Sequence, residues 1–140
     1  MAQIRRAVDQ DFEAAHRLLE QLMPAPSNLR HAIWSRTLAH QGYAAWIAEV
    51  DGRPAGFIDL YVFPDIGHGR DIGLINNLVV GEEFRRRGLG EALLDETVGY
   101  CRARDVVELH LWTDFDNAGA LALYARRGFV RRSLLMELEL

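Results

Sequence analysis

Hydrophobic periodicity along this chain switches between a two-residue and a 3.6-residue repeat. That predicts an α/β or α+β protein whose mixed sheet is covered by helices. Three observations carry the prediction. Apolar, β-branched or aromatic runs fall at residues 44–50, 55–63 and 72–80. Between and after them, apolar residues recur at helical spacing, most clearly from Leu89 to Cys101. Gly- and Pro-containing turns punctuate the boundaries, so the order reads β-α-α-β-β-β-α-β-α-β.

Each element has its own reason. Residues 2–8 open the chain as a short strand. Asp9 can cap the following helix, where Phe12, Ala15, Leu19 and Leu22 share a face. Pro24 and Pro26 stop that helix, because proline removes a donor and restricts the residue before it. Residues 28–40 form a second helix with Ile33, Trp34 and Leu38 on its apolar side. Two strands, 44–50 and 55–63, are joined by Asp51-Gly52-Arg53-Pro54, a hairpin signal. Residues 64–71, rich in Gly and charge, read as a loop before the long strand 72–80. Leu89, Leu93, Thr97, Tyr100 and Cys101 define a helix over 88–104. An apolar strand follows at 106–112, then a helix over 117–127 with Leu121 and Tyr124 on its apolar side. In the closing segment, 129–140, Met136, Leu138 and Leu140 alternate with Glu137 and Glu139, which predicts an extended chain.

At 140 residues and 15.9 kDa the chain has the size of one domain, and residues 1–140 are read as such. Apolar residues make up 49% and charged residues 26%, a globular balance. All sixteen basic residues are Arg, and twenty carboxylates leave a net charge of −4. Net acidity argues against a general nucleic-acid binder. No apolar run approaches the roughly 18 residues of a membrane span, and no signal-peptide core follows Met1. A cytoplasmic setting is therefore expected. Cys101 is alone, which excludes an internal disulfide framework, and His16, His31, His40 and His110 share no ligand spacing, so no metal is expected.

The most informative stretch runs from Leu78 to Glu91, where a buried strand enters a loop with two glycines that opens an amphipathic helix. Free N–H groups of a helix's first turn, with its dipole, attract anions. Gly88 and Gly90 lack Cβ atoms, so a diphosphate could approach the backbone. Arg85, Arg86 and Arg87 carry guanidinium forks that suit phosphate oxygens. A P-loop is excluded, since it needs a Lys that this chain lacks, and a dinucleotide fingerprint needs a third placed glycine.

Arg85-x-x-Gly88-x-Gly90 after Asn77-Leu-Val-Val resembles the acetyl-CoA pyrophosphate loop of the GNAT acetyltransferase superfamily. A second motif, from Asn117 through Leu123-Tyr124 to Gly128-Phe129, resembles the family's N-x-x-A-x-x-L-Y-x-x-x-G-F helix at every marked position. The resemblance spans essentially the whole chain. It implies a mostly antiparallel mixed sheet of about six to seven strands, splayed between strands four (72–80) and five (106–112), with about four helices. The pantetheine arm would lie in that splay and pair with main chain around Leu78, Val79 and Val80, a form of β-augmentation. The diphosphate would rest on Arg85, Arg86, Arg87, Gly88, Leu89, Gly90 and Glu91, with Asn117 and Tyr124 completing the acetyl-CoA contacts.

The resemblance also implies chemistry. Attack of an amine on the thioester expels a thiolate, and Tyr124 is expected as its general acid. A phenol near pKa 10 and a thiol near 8.5 are matched for that transfer. Many relatives carry a Glu base on strand four where this chain has Asn76, whose neutral amide cannot accept a proton. A water held by Asn76, or Asp59, His68, Asp71 or Asp114, are the alternatives. The acceptor side is expected to include Trp34, Asp59, Tyr61, Asp71 and Asn76, a mixture of aromatic and acidic groups suited to a cationic amine. The expected acceptor is a small amine or a peptide N-terminus. Two other readings stand beside this one: a CoA-binding module of the same fold without catalysis, suggested by Asn76, and a nucleotide-phosphate enzyme using the same loop. The segment 129–140 could pair across a homodimer.

Overall fold

A computed structural model describes all 140 residues. The chain runs β1 (Ala2–Arg6), a 3-10 turn (Asp9–Asp11), α1 (Phe12–Glu20), α2 (Ser27–Leu38), β2 (Tyr43–Val50), β3 (Arg53–Asp65) and β4 (Arg70–Val80). A second 3-10 turn (Glu82–Phe84), α3 (Leu89–Ala103), β5 (Leu109–Leu111) and α4 (Ala118–Arg126) complete it. One five-stranded sheet has the order β1-β2-β3-β4-β5. Its first four strands pair antiparallel, and β5 joins β4 in parallel.

The two-residue alternation of the central strands divides the core between the sheet's faces. Ala45, Ile47, Phe57 and Val79 pack with Phe12, Ala15, Leu18 and Trp34 of α1 and α2. Trp46, Ile58, Leu60 and Ile75 pack on the other face with Leu89, Leu93, Leu94 and Cys101 of α3. Cys101 is thus a buried, packed thiol. Arg30 braces the α1–α2 connection, donating to Glu20 at 2.9 Å and to the Met23 carbonyl at 2.6 Å.

Several boundaries differ from the expected ones. Asp9 lies in the 3-10 turn, and Asp11 takes the helix-entry role, accepting from the Val8 N–H at 2.7 Å and from Arg5 at 2.8 Å. The expected loop 64–71 shrinks to the four residues between Asp65 and Arg70, because β3 and β4 remain paired to Asp65↔Arg70. Gly69 turns the hairpin at φ +63°. β5 is three residues long, where seven were expected. The expected last strand stays outside the sheet, so there are five strands and not six or seven. Phe129 N–H donates to the Tyr124 carbonyl at 3.0 Å, and the chain then enters no ladder, leaving Met136 and Leu138 83% and 81% exposed. A three-residue edge offers few pairing groups against the conformational entropy of ordering a further strand.

Candidate functional site

The centre of the sheet is irregular at one place. Between β3 and β4 the register steps from Asp59↔Asn77 to Leu60↔Ile75, which leaves Asn76 as the extra residue of a β-bulge. The β4–β5 ladder also ends there, at Ile75↔Leu111. Beyond Ile75, therefore, β4 keeps β3 on one side and loses its partner on the other. Asn76 is exposed and Asn77 half-buried beside that opening.

Beneath the bulge lies Asp59, 5% exposed. Its carboxylate accepts from the Asn77 N–H at 2.7 Å, from the Asn77 amide at 2.9 Å and from the Tyr43 hydroxyl at 2.7 Å. Burial pushes the Asp59 carboxyl above its ordinary value, against the pull of these donors. Burial first, and then the Asp59 charge, push the Tyr43 phenol far up, so Tyr43 remains a donor.

At its end, β4 passes into the loop before α3. Gly81 N–H donates to the Ala55 carbonyl at 2.8 Å, and Phe84 plugs the core at 4% exposure. Arg86 and Gly88 then adopt left-handed backbone, φ +67° and +78°. Left-handed residues in such a turn gather N–H groups into an anion-binding concavity, and α3 begins immediately after it. The three arginines are not equivalent. Arg85 folds back so that Nε donates to the Val80 carbonyl at 3.3 Å. Arg87 stacks over Phe84 at 5.6 Å, sharing that ring with Arg53 at 4.9 Å. The glycines also differ. A Cβ on Gly88 would meet nothing within 4 Å, so backbone conformation is what calls for glycine there. A Cβ on Gly90 would stand 3.1 Å from Leu123 Cδ2, so Gly90 admits α4.

α4 is seated on this helix entry. Asn117 caps it, its Oδ1 accepting from the Ala120 N–H at 3.1 Å. Glu91 reaches Arg126 at 2.9 Å and Arg127 at 3.1 Å, and Arg127 also reaches Asp95 at 3.2 Å. Tyr124 is half-buried against the α3-side core, edge-on to Phe129 at 5.9 Å. Burial alone raises its phenol pKa.

Residues 4–129 match the Acetyltransferase (GNAT) family. The chain belongs to this family. An uncharacterized N-acetyltransferase of Methanocaldococcus jannaschii is 32% identical over 92 residues, 64% of this chain and 40% of that protein. The ribosomal protein bS18-alanine N-acetyltransferase of Salmonella typhimurium is 41% identical over 59 residues, 42% of this chain and 40% of that protein. The aligned part thus spans about two fifths of the length of each of these relatives. Among solved structures, a Trypanosoma brucei acetyltransferase superposes with a TM-score of 0.86 at 24% identity, covering 100% of both chains. An aminoglycoside N-acetyltransferase in complex with CoA superposes at 0.88 with 22% identity, covering 99% of this chain and 94% of the other. At these identities the likeness is one of fold.

Within this GNAT fold the acceptor-side candidates scatter. Trp34, expected at the substrate surface, is a core residue: it is 7% exposed, its Nε1 donates to the Asp9 carbonyl at 2.9 Å, and it packs on Phe12 and Phe57. Tyr61 is half-buried against Tyr43, ring centroids 4.9 Å apart. Asp71 is exposed at the hairpin end, opposite Pro64, roughly 15 Å along β4 from Asn76. His68 is engaged elsewhere, bonded to Asp65 and, through Nε2, to Glu108 at 2.8 Å. Asp114 is exposed between β5 and α4. Sequence reasoning missed Tyr43 and Asn77. Alternation places residues on faces, but a bulge that lets Asn77 reach Asp59 leaves no local signature.

Proposed function

We propose that residues 1–140 form one N-acetyltransferase domain that transfers the acetyl group of acetyl-CoA to a primary amine in a ternary complex. The carrying observation is a coincidence on one strand. β4 loses its β5 partner at Asn76, and ten residues on, the left-handed Arg86 and Gly88 open α3. A diphosphate fits such a concavity, and an extended pantetheine fits the unpaired edge around Leu78, Val79 and Val80. Main-chain N–H groups of Arg86 to Glu91 would hold the diphosphate, with Arg85 and Arg86 adding charge. The Arg87 side chain, stacked on Phe84, would mainly brace the loop. Asn117 orders the far side through its cap.

Bound acetyl-CoA supplies the activated thioester. Tyr124 is the group we assign to the leaving thiolate: its phenol O–H gives the proton as the carbon–sulfur bond breaks and the carbon–nitrogen bond forms. The phenol is neutral at neutral pH, and burial, which raises its pKa, means that it gives up the proton only as thiolate charge develops beside it. The acceptor reaches the reaction as an ammonium ion near pKa 10.4, and freeing the amine costs roughly 4–5 kcal/mol at pH 7. His68 is held in its own ion pairs and Asp59 is sealed beneath the strand, so we assign the outgoing proton to water at the exposed Asn76. The relatives named for ribosomal-protein alanine and the aminoglycoside enzymes support an amine or peptide N-terminus as acceptor.

Thermal shift with acetyl-CoA, CoA and ATP tests the cofactor, and thiol release across polyamines, amino sugars, amino acids and N-terminal peptides tests the reaction. Stabilisation by ATP but not by acetyl-CoA overturns the proposal. The neutral Asn76 also favours a second reading, a CoA-binding module without turnover. Binding of CoA with no thiol release on any amine would select that reading.

A further inference from the structure

The Asp59 cluster lies away from the cofactor loop and Tyr124, directly at the bulge where the β4–β5 ladder ends. In an antiparallel ladder a bulge breaks the hydrogen-bond sequence and leaves a main-chain group to be satisfied by other means. Here the Asn77 N–H, immediately after the extra residue Asn76, donates to the Asp59 side chain at 2.7 Å. The Asn77 amide closes a second contact onto the other carboxylate oxygen at 2.9 Å, and Tyr43 anchors that oxygen from β2 at 2.7 Å. No cation contacts this carboxylate; every partner is a neutral donor. A carboxylate that is 5% exposed and uncompensated by Arg is costly to bury.

We infer that Asp59 is a positioning residue for acyl transfer: through the Asn77 N–H it fixes the β4 bulge, and so the point at which β4 parts from β5 and the outward placement of Asn76. The role rests on the acetyltransferase reading above but assigns Asp59 neither the proton nor the substrate. Three adjacent facts support this role. The extra residue, the end of the β4–β5 ladder and the carboxylate-bound N–H fall at Asn76, Ile75 and Asn77, consecutive positions of one strand. A bulge bends its strand and increases local twist, which turns β4 away from β5 there. What Asp59 must supply is an acceptor oxygen in one place. Charge is incidental to that task.

This separates the role from that of a general base. Asp59→Asn keeps an acceptor oxygen facing the Asn77 N–H but cannot take a proton. Asp59→Ala removes the acceptor. The expected result, measured as thiol release from acetyl-CoA with the best amine of the panel, is a kcat about tenfold or more lower in Asp59→Ala. In Asp59→Asn, kcat recovers to within about threefold of the wild type and CoA affinity by calorimetry stays within about threefold, whereas in Asp59→Ala CoA affinity falls together with kcat, because the β4 edge that seats the pantetheine is no longer held. Amide exchange of Asn77 should be slow in the wild type and in Asp59→Asn and fast in Asp59→Ala. Ile47→Val, a buried change in the same core layer, reports simple destabilisation and should lower the unfolding midpoint while leaving kcat unchanged. If Asp59→Ala does not fold, Asp59→Ser, whose shorter side chain cannot span to Asn77, takes its place. Asp59→Asn as inactive as Asp59→Ala would show that charge or proton transfer matters, overturning the positioning role. Full activity in Asp59→Ala with a freed Asn77 amide would overturn it equally. Either result leaves the acetyltransferase reading standing, whereas a wild type that neither binds CoA nor releases thiol removes both.

Discussion

Gly88 stands at φ +78° with open space where a Cβ would go, so replacing it strains the backbone without causing a collision. Left-handed backbone costs an L-residue about 1–2 kcal/mol. Gly88→Ala is therefore expected to cost about 1–2 kcal/mol, read as a lower unfolding midpoint where the free loop keeps its conformation and as CoA binding weakened by about tenfold where it relaxes, which thermal melts and calorimetry apportion together. Truncating Arg85 should weaken binding less, because the proposed diphosphate contacts are mainly main chain. At Tyr124 the expectation is of the opposite kind. Tyr124→Phe keeps the packing on Phe129 and removes the proton, so kcat at saturating amine should fall about 10²-fold with CoA affinity retained. Unchanged thiol release in that variant would dismiss Tyr124 as the acid. These positions could be proposed from the sequence because their motifs are local: a loop before a helix, and a Tyr inside a helix signature. The place of Trp34 could not, because an aromatic on a helix face reads the same whether that face meets a ligand or a sheet.

Between elements, the α3–α4 junction is the consequential contact. No residue of α4 is fully buried, and its seat depends on Leu123 against Gly90 and on Glu91 and Asp95 bridging to Arg126 and Arg127. These ion pairs are solvent-facing, so salt should screen them. Glu91→Gln is expected to speed amide exchange in α4 selectively, and high salt should reproduce this in the wild type. Equal exchange in variant and wild type would show that the bridges do not hold the helix. The α3–sheet contact is of another order. Leu93 is fully buried, and Leu93→Ala should cost about 2–5 kcal/mol in chemical denaturation. The helices fell within a residue or two of their predicted bounds, since a 3.6-residue apolar face is a long and redundant signal. β5 and the segment 129–140 were overread, because alternation reports a strand's willingness to pair and not whether an edge is there to receive it.

Across the whole molecule, His68 ties the β3–β4 hairpin to β5, bonding Asp65 on one side and Glu108 on the other, with His110 also on Glu108 at 3.2 Å. The Asp65 hydrogen bond, then the Glu108 charge, raise the His68 pKa above its ordinary 6.5. Stability from His68 is thus fully present below 6.5 and is lost as pH rises through the raised value. Asp65 and Glu108 are lowered from 3.8 and 4.5, by His68 and His110 respectively, so their share is present above those values and is lost as pH falls through the lowered ones. The cluster should contribute most between 4.5 and 6.5. The stability difference between the wild type and His68→Gln, measured by urea denaturation across pH, should peak in that window and shrink toward alkaline pH; a flat difference would refute the coupling. By itself, the sequence determined the fold class, the order of helices and long strands, the candidate diphosphate loop and the candidate acid, because each is written in neighbouring residues. Only the tertiary structure decided where β4 parts from β5, that Trp34 and Asp59 are buried, that Gly90 makes room for α4, and that the last twelve residues stay off the sheet. Each of these depends on which distant atoms arrive beside a residue, and no local period encodes that.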